Sequence, residues 1–380
     1  MSDADERVTS VVFAGGGTGG HISPGLAIAE RLAAIDPSAR SFFACSARPI
    51  DAEMLSNAGA EFAPVAASPV AWRPRGLLRF VRDWRKGKAQ ARRILAERQA
   101  TSVVALGGFV TGPVVAAAVA AGVPVLLVNL DARPGRANRW VARRAARVVS
   151  AVETPECPGF ARDLVGMPIR RVAIAPGDPV SCREELGLRG AMPTLLVTGA
   201  SQGASSLNEL LLAMLARRRE AFAGWQVFHL SGPSDVERLR RAYAEAGVPA
   251  RVEAFTHRIG LAWGAADLAL SRAGANSVAE AAANAVPTLF APYPYHKDAH
   301  QAANAEPLVR AGGAALELDA IDAGRNLDGL GRTLAELLTD PARRRSMRET
   351  LERNRPGDAA AAIARIIVDR PGGVDRPGRP

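Results

Sequence analysis

Val8-Thr9-Ser10-Val11-Val12-Phe13-Ala14-Gly15-Gly16-Gly17-Thr18-Gly19-Gly20-His21 carries an apolar run, Val8–Phe13, into six consecutive residues of Gly or Thr and then a histidine. Ile22-Ser23-Pro24-Gly25 follows and leads into a segment of helical period. Strand, glycine turn, helix is the opening of a Rossmann-like unit. Glycines let the backbone take positive φ and let a ligand approach the amides closely. The helix start adds free N–H groups and the positive end of a dipole, suited to an anion or to developing negative charge. An ordinary Rossmann turn shares these features, but six such residues ending in His are rarer, and no Lys-Ser/Thr follows to make a Walker A loop. His21 is the one residue here able to take a proton near neutral pH, which makes it the candidate catalytic base.

Outward from this turn, short apolar runs alternate with longer helical segments, the pattern of parallel sheets with crossover helices. Strands are expected at Val8–Phe13, Arg40–Ala44, Phe62–Val65, Ser102–Leu106, Val125–Asn129, Arg147–Val152 and Val172–Ala175. A second series is expected at Thr194–Val197, Gln226–Ser231, Arg251–Phe255, Leu268–Ser271, Thr288–Phe290 and Ala314–Leu318. Pro168, Pro176, Gly177 and Pro179 break the rhythm between the two. The expected division is therefore a first domain at 1–166, a linker at 167–190 and a second domain at 191–356. A last helix within 357–368 is expected to pack back on the first domain, and 369–380 to be a disordered tail. The fold class is α/β, with two Rossmann-like domains facing a cleft.

The second domain repeats the device. Thr198-Gly199-Ala200-Ser201-Gln202-Gly203-Ala204 follows a strand and precedes a helix, so the amides of Ser201 to Ala204 and the Ser201 hydroxyl can hold a phosphate. Ser271-Arg272-Ala273-Gly274-Ala275-Asn276 closes another strand and starts a helix that carries Glu280 one turn in. A carboxylate there can accept both ribose hydroxyls of a nucleotide, or simply satisfy the helix dipole. Tyr295-His296-Lys297-Asp298-Ala299-His300-Gln301-Ala302-Ala303-Asn304 is too polar for a core and suits hydrogen bonding to a sugar. His229 lies in an apolar strand and reads as a core histidine, while His257 follows Phe255 where a uracil or a structural role is equally open.

Composition bounds the rest. At 380 residues two domains are the natural division, and 48% hydrophobic residues are enough to build a core for each. Cys45, Cys157 and Cys182 make neither a disulfide framework nor a zinc pattern, which fits a reducing compartment. The polar start MSDADERVTS is no secretory signal, and its Asp3-Ala4-Asp5 has no strand around it, so no metal ligands are assigned. The longest apolar run, Val114–Val128, is shorter than the ~20 residues that span a bilayer. The net charge of +10 is uneven: residues 71–95 carry +8 and residues 131–147 carry +5, leaving the rest at −3. In the first of these segments Leu77, Phe80, Val81, Trp84, Ala91, Ile94 and Leu95 recur at helical spacing among Arg and Lys. A solvated basic face on a packed helix would read the same way, but Trp72, Phe80 and Trp84 beside Arg75, Arg79, Arg82 and Arg85 suit an anionic headgroup region. No nucleic-acid motif accompanies the charge.

Taken together, Gly15–Gly25, Gly107–Pro113 (GGFVTGP), Gly166–Arg170 (GMPIR), Gly199–Ala204 (GASQGA), Ser271–Glu280 (SRAGANSVAE) and His296–Asn304 (HKDAHQAAN) resemble the MurG family of UDP-N-acetylglucosamine transferases of peptidoglycan synthesis, from Val8 to about Leu338. The resemblance implies a GT-B fold, inversion at the anomeric carbon and no cofactor or required metal. It implies UDP-N-acetylglucosamine as donor, an undecaprenyl-diphosphate-linked acceptor, and peripheral attachment to the anionic cytoplasmic face of the inner membrane beside other cell-wall synthesis proteins. His21 would deprotonate the attacking hydroxyl, and Gly16, Gly17, Thr18, Gly19, Gly20, Phe109 and Asp131 would lie on the acceptor side. Arg170, Ser201, Gln202, Gly203 and Ala204 would hold the donor diphosphate. Glu280 with Gly274 and Ala275 would hold the ribose, His257 to Ile259 the uracil, and His300, Gln301 and Asn304 the sugar.

The chain also departs from that pattern. Val128-Asn129-Leu130-Asp131 stands where the family carries HEQN, Phe109 replaces a Tyr, Met167 an Asn and His300 a Gln. These departures keep two rivals open: a paralogous transferase with a different lipid or metabolite acceptor, and a non-catalytic UDP-sugar-binding partner.

Overall fold

A computed structural model of the chain describes residues 8–17, 19–69, 73–161, 163–199, 203–294 and 300–369. Thr18, Trp72, Ser201, Gln202 and the tail from 370 onward lie outside them. The chain divides into two units, residues 1–170 with the returning segment 357–380, and residues 171–356.

The first unit begins β1 (Ser10–Ala14), α1 (Gly19–Ile35), β2 (Arg40–Cys45), α2 (Pro49–Asn57), β3 (Glu61–Pro64) and α3 (Pro74–Glu97). It continues β4 (Ser102–Ala105), α4 (Thr111–Ala120), β5 (Val125–Asn129), α5 (Arg136–Ala142), β6 (Arg147–Ser150) and β7 (Asp163–Leu164). Its strands pair in parallel in the order β3-β2-β1-β4-β5-β6-β7. Every residue of β1 and β5 is buried, as a strand covered by helices on both faces requires. The order reverses between β1 and β4, and ligands of open α/β sheets bind beyond the strand ends at such a point.

The second unit begins α6 (Pro179–Glu185), β8 (Thr194–Thr198), α7 (Ser205–Arg217), β9 (Gln226–Leu230), α8 (Val236–Glu245), β10 (Ala250–Glu253) and α9 (Ile259–Ala265). Then come β11 (Leu268–Ser271), α10 (Ala275–Ala283), β12 (Thr288–Phe290), α11 (His300–Ala311), β13 (Ala314–Leu316), α12 (Ala323–Asp328), α13 (Leu330–Thr339) and α14 (Pro341–Arg353). The parallel order β10-β9-β8-β11-β12-β13 reverses between β8 and β11. Apolar layers cover both faces of this sheet, one built on Leu210, Leu211, Leu334 and Leu337, the other on Leu196, Phe228, Trp263 and Phe290.

The last helix, α15 (Ala359–Val368), packs on α1 of the first unit through Ala360, Ile363, Ala364 and Ile367. Its N-cap Asp358 accepts from Ala361 N at 3.0 Å and from Arg31 Nε at 2.6 Å, so one carboxylate both starts the helix and fixes it to α1.

Two expectations need correction. Val172–Ala175 is not a strand: Arg171–Ala173 forms a 3₁₀ turn between Pro168 and Pro176, and the Val172 and Ile174 carbonyls lie against Gly260 of α9. The sheet of the first unit ends instead on the two-residue β7, which has no apolar run to announce it. Residues 171–190, expected as linker, group with the second unit, because Asp178 caps α6 through Val180 N and Ser181 N and α6 packs on α9. Among the described residues, no helix is long and apolar enough to cross a membrane.

Candidate active site

In the first unit the glycine turns after β1 and β4 lie side by side because those strands are neighbours. At Gly108 φ is +83°, and a Cβ there would stand 2.5 Å from the Gly16 carbonyl oxygen. The two turns can meet only without that side chain. The buried Thr111 hydroxyl donates to the Gly107 carbonyl at 2.6 Å and ties the second turn to the start of α4. Asp51, fully buried in the first turn of α2, accepts from Gly17 N at 2.8 Å, from Ser46 N at 3.0 Å and from Ser46 Oγ at 2.6 Å. The Arg48 guanidinium donates to the Gly17 carbonyl at 2.6 Å. Sequence reasoning missed both residues, since an acid in a helix's first turn is ordinarily a dipole partner.

His21 sits in the first turn of α1, half-buried. A Cβ on Gly107 would lie 3.0 Å from its Nε2. Burial holds the imidazole pKa below 6.5, opposed by the negative charges of Asp131 and Asp51 and by a hydrogen bond with the Gly16 backbone. A neutral imidazole at physiological pH is the form a general base needs. Gly19 and Gly20 form the first residues of α1, and Phe109 is exposed beside the β4 turn. Arg170 donates to Glu30 of α1 at 2.9 Å within this unit.

In the second unit the turns after β8 and β11 are likewise neighbours. Gly203 has φ +72°, and a Cβ there would meet the Ser231 carbonyl oxygen at 2.3 Å, so only glycine lets this turn rest on the end of β9. Ala204 and Gly274 are the N-caps of α7 and α10, and neither offers a side chain to the first amides. Two helix starts whose N-cap residues carry no capping side chain lie beside a switch point, an anion-binding geometry. Ala275 is the first residue of α10. Glu280, farther along it, accepts the Trp263 indole N–H at 2.9 Å. Burial pushes the Glu280 pKa up from 4.5 to about 7, with the indole bond pulling the other way.

Around these turns the side chains are tied to one another. Asn304 donates to the Ala273 carbonyl at 3.2 Å, and Gln301 accepts from Tyr293 N at 2.9 Å. His300 opens α11. Arg272 is buried, paired with Asp319 at 2.7 Å and bonded to Ser206 Oγ and the Ala291 carbonyl, with Tyr293 stacked on its guanidinium. Phe255 and His257 form an exposed edge-to-face pair 5.0 Å apart beyond β10, whereas Ile259 packs against the core. His229 is a core residue, bonded to Tyr243 and Asn208 at 3.0 Å each.

The basic helix α3 divides along its length. Ala91, Ile94 and Leu95 are buried, and Trp84 packs edge-on to Trp140 and against Gly112 with Phe80 beside it. Leu77, Leu78 and Val81 are exposed, Leu78 by 72%, among exposed Arg75, Arg79, Arg82 and Arg85. No group of three or more His, Cys, Asp or Glu among the described residues could hold a metal ion.

Comparison with known proteins meets this geometry on both units. The glycosyltransferase family 28 N-terminal domain matches residues 11–150, and the family 28 C-terminal domain matches residues 194–363. The UDP-N-acetylglucosamine–N-acetylmuramyl-(pentapeptide) pyrophosphoryl-undecaprenol N-acetylglucosamine transferase of Clavibacter sepedonicus is 35% identical over 378 residues, 98% of this chain and 99% of the relative. The protein of the same name from Acidithiobacillus ferrooxidans is 37% identical over 96% of this chain and 99% of its own. The crystal structure of Acinetobacter baumannii MurG superposes with a TM-score of 0.71 at 23% identity, covering 95% of this chain and 100% of that one, which shows the shared GT-B fold. With its two Rossmann-like units, its paired glycine turns and relatives of one name along nearly its whole length, this chain belongs to the MurG family within glycosyltransferase family 28.

Proposed function

We propose that the protein transfers N-acetylglucosamine from UDP-N-acetylglucosamine to N-acetylmuramyl-(pentapeptide) pyrophosphoryl-undecaprenol, with inversion at the anomeric carbon. The observation that carries this reading is full-length similarity to relatives of that activity, combined with glycine turns at both sheet reversals. The second unit binds the donor. The family resemblance assigns its diphosphate to Ser201, Gln202, Gly203 and Ala204 ahead of α7, its ribose to Glu280 of α10, its uracil to the stretch at Phe255 and His257, and its sugar to His300, Gln301 and Asn304; Arg170, which the resemblance also assigns to the diphosphate, is paired with Glu30 in the first unit. The first unit binds the acceptor over the Gly16–Gly20 and Gly107–Phe109 turns.

His21 takes the proton of the attacking hydroxyl as that oxygen bonds to the anomeric carbon. The bond from this carbon to UDP breaks, and its electron pair departs on the diphosphate. Helix-start amides of the second unit neutralise that charge. Exposed Leu77, Leu78 and Val81 among the arginines of α3 support peripheral attachment to an anionic cytoplasmic membrane face.

Incubation with UDP-N-acetylglucosamine and a lipid I analogue tests the reading: a disaccharide product and stoichiometric UDP are expected. Intact UDP binding with no disaccharide would instead favour a transferase with another acceptor or a UDP-sugar-binding partner.

A further inference from the structure

We infer that Asp319, in the loop after β13, is a positioning residue of the donor site: through Arg272 and Ser206 it sets the start of α7 against the ends of β11 and β12. The inference deepens the reading of the second unit as the donor site and rests on it.

The Asp319 carboxylate is buried, and its two oxygens work in opposite directions. Oδ1 faces its own loop, accepting from Ile321 N at 2.7 Å and from Asn326 Nδ2 of α12 at 2.7 Å. Asn326 Oδ1 in turn accepts from Ala320 N at 2.7 Å. Ile321 stands at φ +56°, a left-handed conformation that a β-branched side chain resists, and these bonds hold the loop in it. Oδ2 faces the sheet, accepting from Ser206 Oγ at 2.5 Å and pairing with Arg272 Nη1 at 2.7 Å.

Arg272 carries the connection to the strand ends. Its backbone N–H donates to the Thr198 carbonyl at the end of β8 at 3.3 Å. Its Nη1 donates to the Ala291 carbonyl after β12 at 2.9 Å, and its Nη2 to Ser206 Oγ at 2.7 Å. Ser206 lies in the first turn of α7, where its hydroxyl receives from the arginine and donates to the aspartate. One buried pair thus joins the ends of three neighbouring strands, β8, β11 and β12, to the helix that starts from the first of them.

Stability alone does not call for such a pair. Two charges taken out of water lose most of what their attraction returns, and apolar side chains of similar volume would hold the fold as well. What apolar packing lacks is direction. A hydroxyl with one donor and one acceptor partner, each fixed by further bonds, has one position. The first turn of α7 is therefore set in register with the turns after β8 and β11, which form the anion-binding geometry of this unit.

Calorimetric titration of the full-length protein with UDP, beside urea unfolding, tests the assignment. Asp319→Asn and Ser206→Ala are each expected to weaken UDP binding about 10-fold, and both changes together no more than either alone. Ser206→Thr keeps the hydroxyl and is expected to bind UDP as the native protein does. Replacing the pair by Arg272→Met with Asp319→Leu is expected to keep the native urea midpoint while UDP binding stays about 10-fold weaker. Native affinity in Ser206→Ala and Asp319→Asn, native affinity in the apolar pair, or additive losses in the double variant would overturn the inference. The Leu207 and Asn208 amides bond the Ala204 carbonyl at 2.9 and 3.0 Å, and their hydrogen exchange needs no ligand. It is expected to quicken about 10-fold in Ser206→Ala, and unchanged exchange would also overturn the inference. A native protein that binds no UDP would remove the donor reading, while the exchange would still decide the positioning.

Discussion

Replacing Trp263 by Phe removes the hydrogen-bond donor to Glu280, the proposed ribose ligand, and the outcome can be worked out in advance. The indole N–H is bonded to Glu280 at 2.9 Å, and the Glu280 pKa is raised from 4.5 to about 7 by burial. Because the folded value lies above the unfolded one, this carboxyl's contribution to stability is fully present below 4.5 and is lost as pH rises through about 7. Ribose hydroxyls donate, so a nucleotide prefers the ionised carboxylate. A hydrogen bond to a charged group contributes about 1.5–3 kcal/mol, so its loss raises the Glu280 pKa by roughly one to two further pH units. At neutral pH the ionised fraction then falls from about a half to between a tenth and a hundredth, which weakens UDP binding about 5- to 50-fold. Calorimetric titration with UDP at a series of pH values is the assay. The penalty should be large near neutral pH and vanish above about pH 10, once the variant's carboxyl is ionised. Glu280→Gln, which never ionises, should bind weakly throughout. The smaller ring also leaves a void costing about 1–3 kcal/mol, which urea unfolding measures separately. Native-like UDP affinity near neutral pH, or a penalty equally large at high pH, would refute both the ribose role of Glu280 and its orientation by Trp263.

Gly108→Ala places a Cβ 2.5 Å from the Gly16 carbonyl oxygen at φ +83°, so the glycine turns after β1 and β4, the proposed acceptor site, must separate. Transfer should drop about 10²-fold while UDP binding on the other unit is preserved, a split that activity and calorimetry read together. On α3, changing Arg79, Arg82 and Arg85 to Ala should remove about 1 kcal/mol of membrane attraction for each charge, roughly 10²-fold in binding overall. Co-sedimentation with anionic vesicles should show it, and attachment of the native protein should weaken as salt rises; indifference to lipid charge would rule out that surface.

The strands and glycine turns at both sheet reversals were legible because each occupies consecutive residues. β1, β5, β8 and β9 are short apolar runs buried on both faces, and each glycine turn stands directly after its strand, so period and turn chemistry are visible locally. The amphipathic stripe of α3 was legible as a stripe, but which half of it is covered depends on Trp140 and Gly112, far along the chain. Residues 171–190 look like punctuation because of their prolines, yet Pro179 after a capping Asp178 is how a helix begins. The site partners are the least legible of all. Asp51 lies 34 residues from the amide it holds, Trp263 lies 17 from Glu280, and Asp319 pairs with Arg272 from beyond another strand. No local pattern singles them out, because an acid near a helix start and an apolar Trp each have an ordinary use. What makes them functional is strand order, since β1 beside β4 and β8 beside β11 bring the turns together and the adjoining helices supply the charges. A turn is written in neighbouring residues, whereas the charge that tunes it is written in the topology.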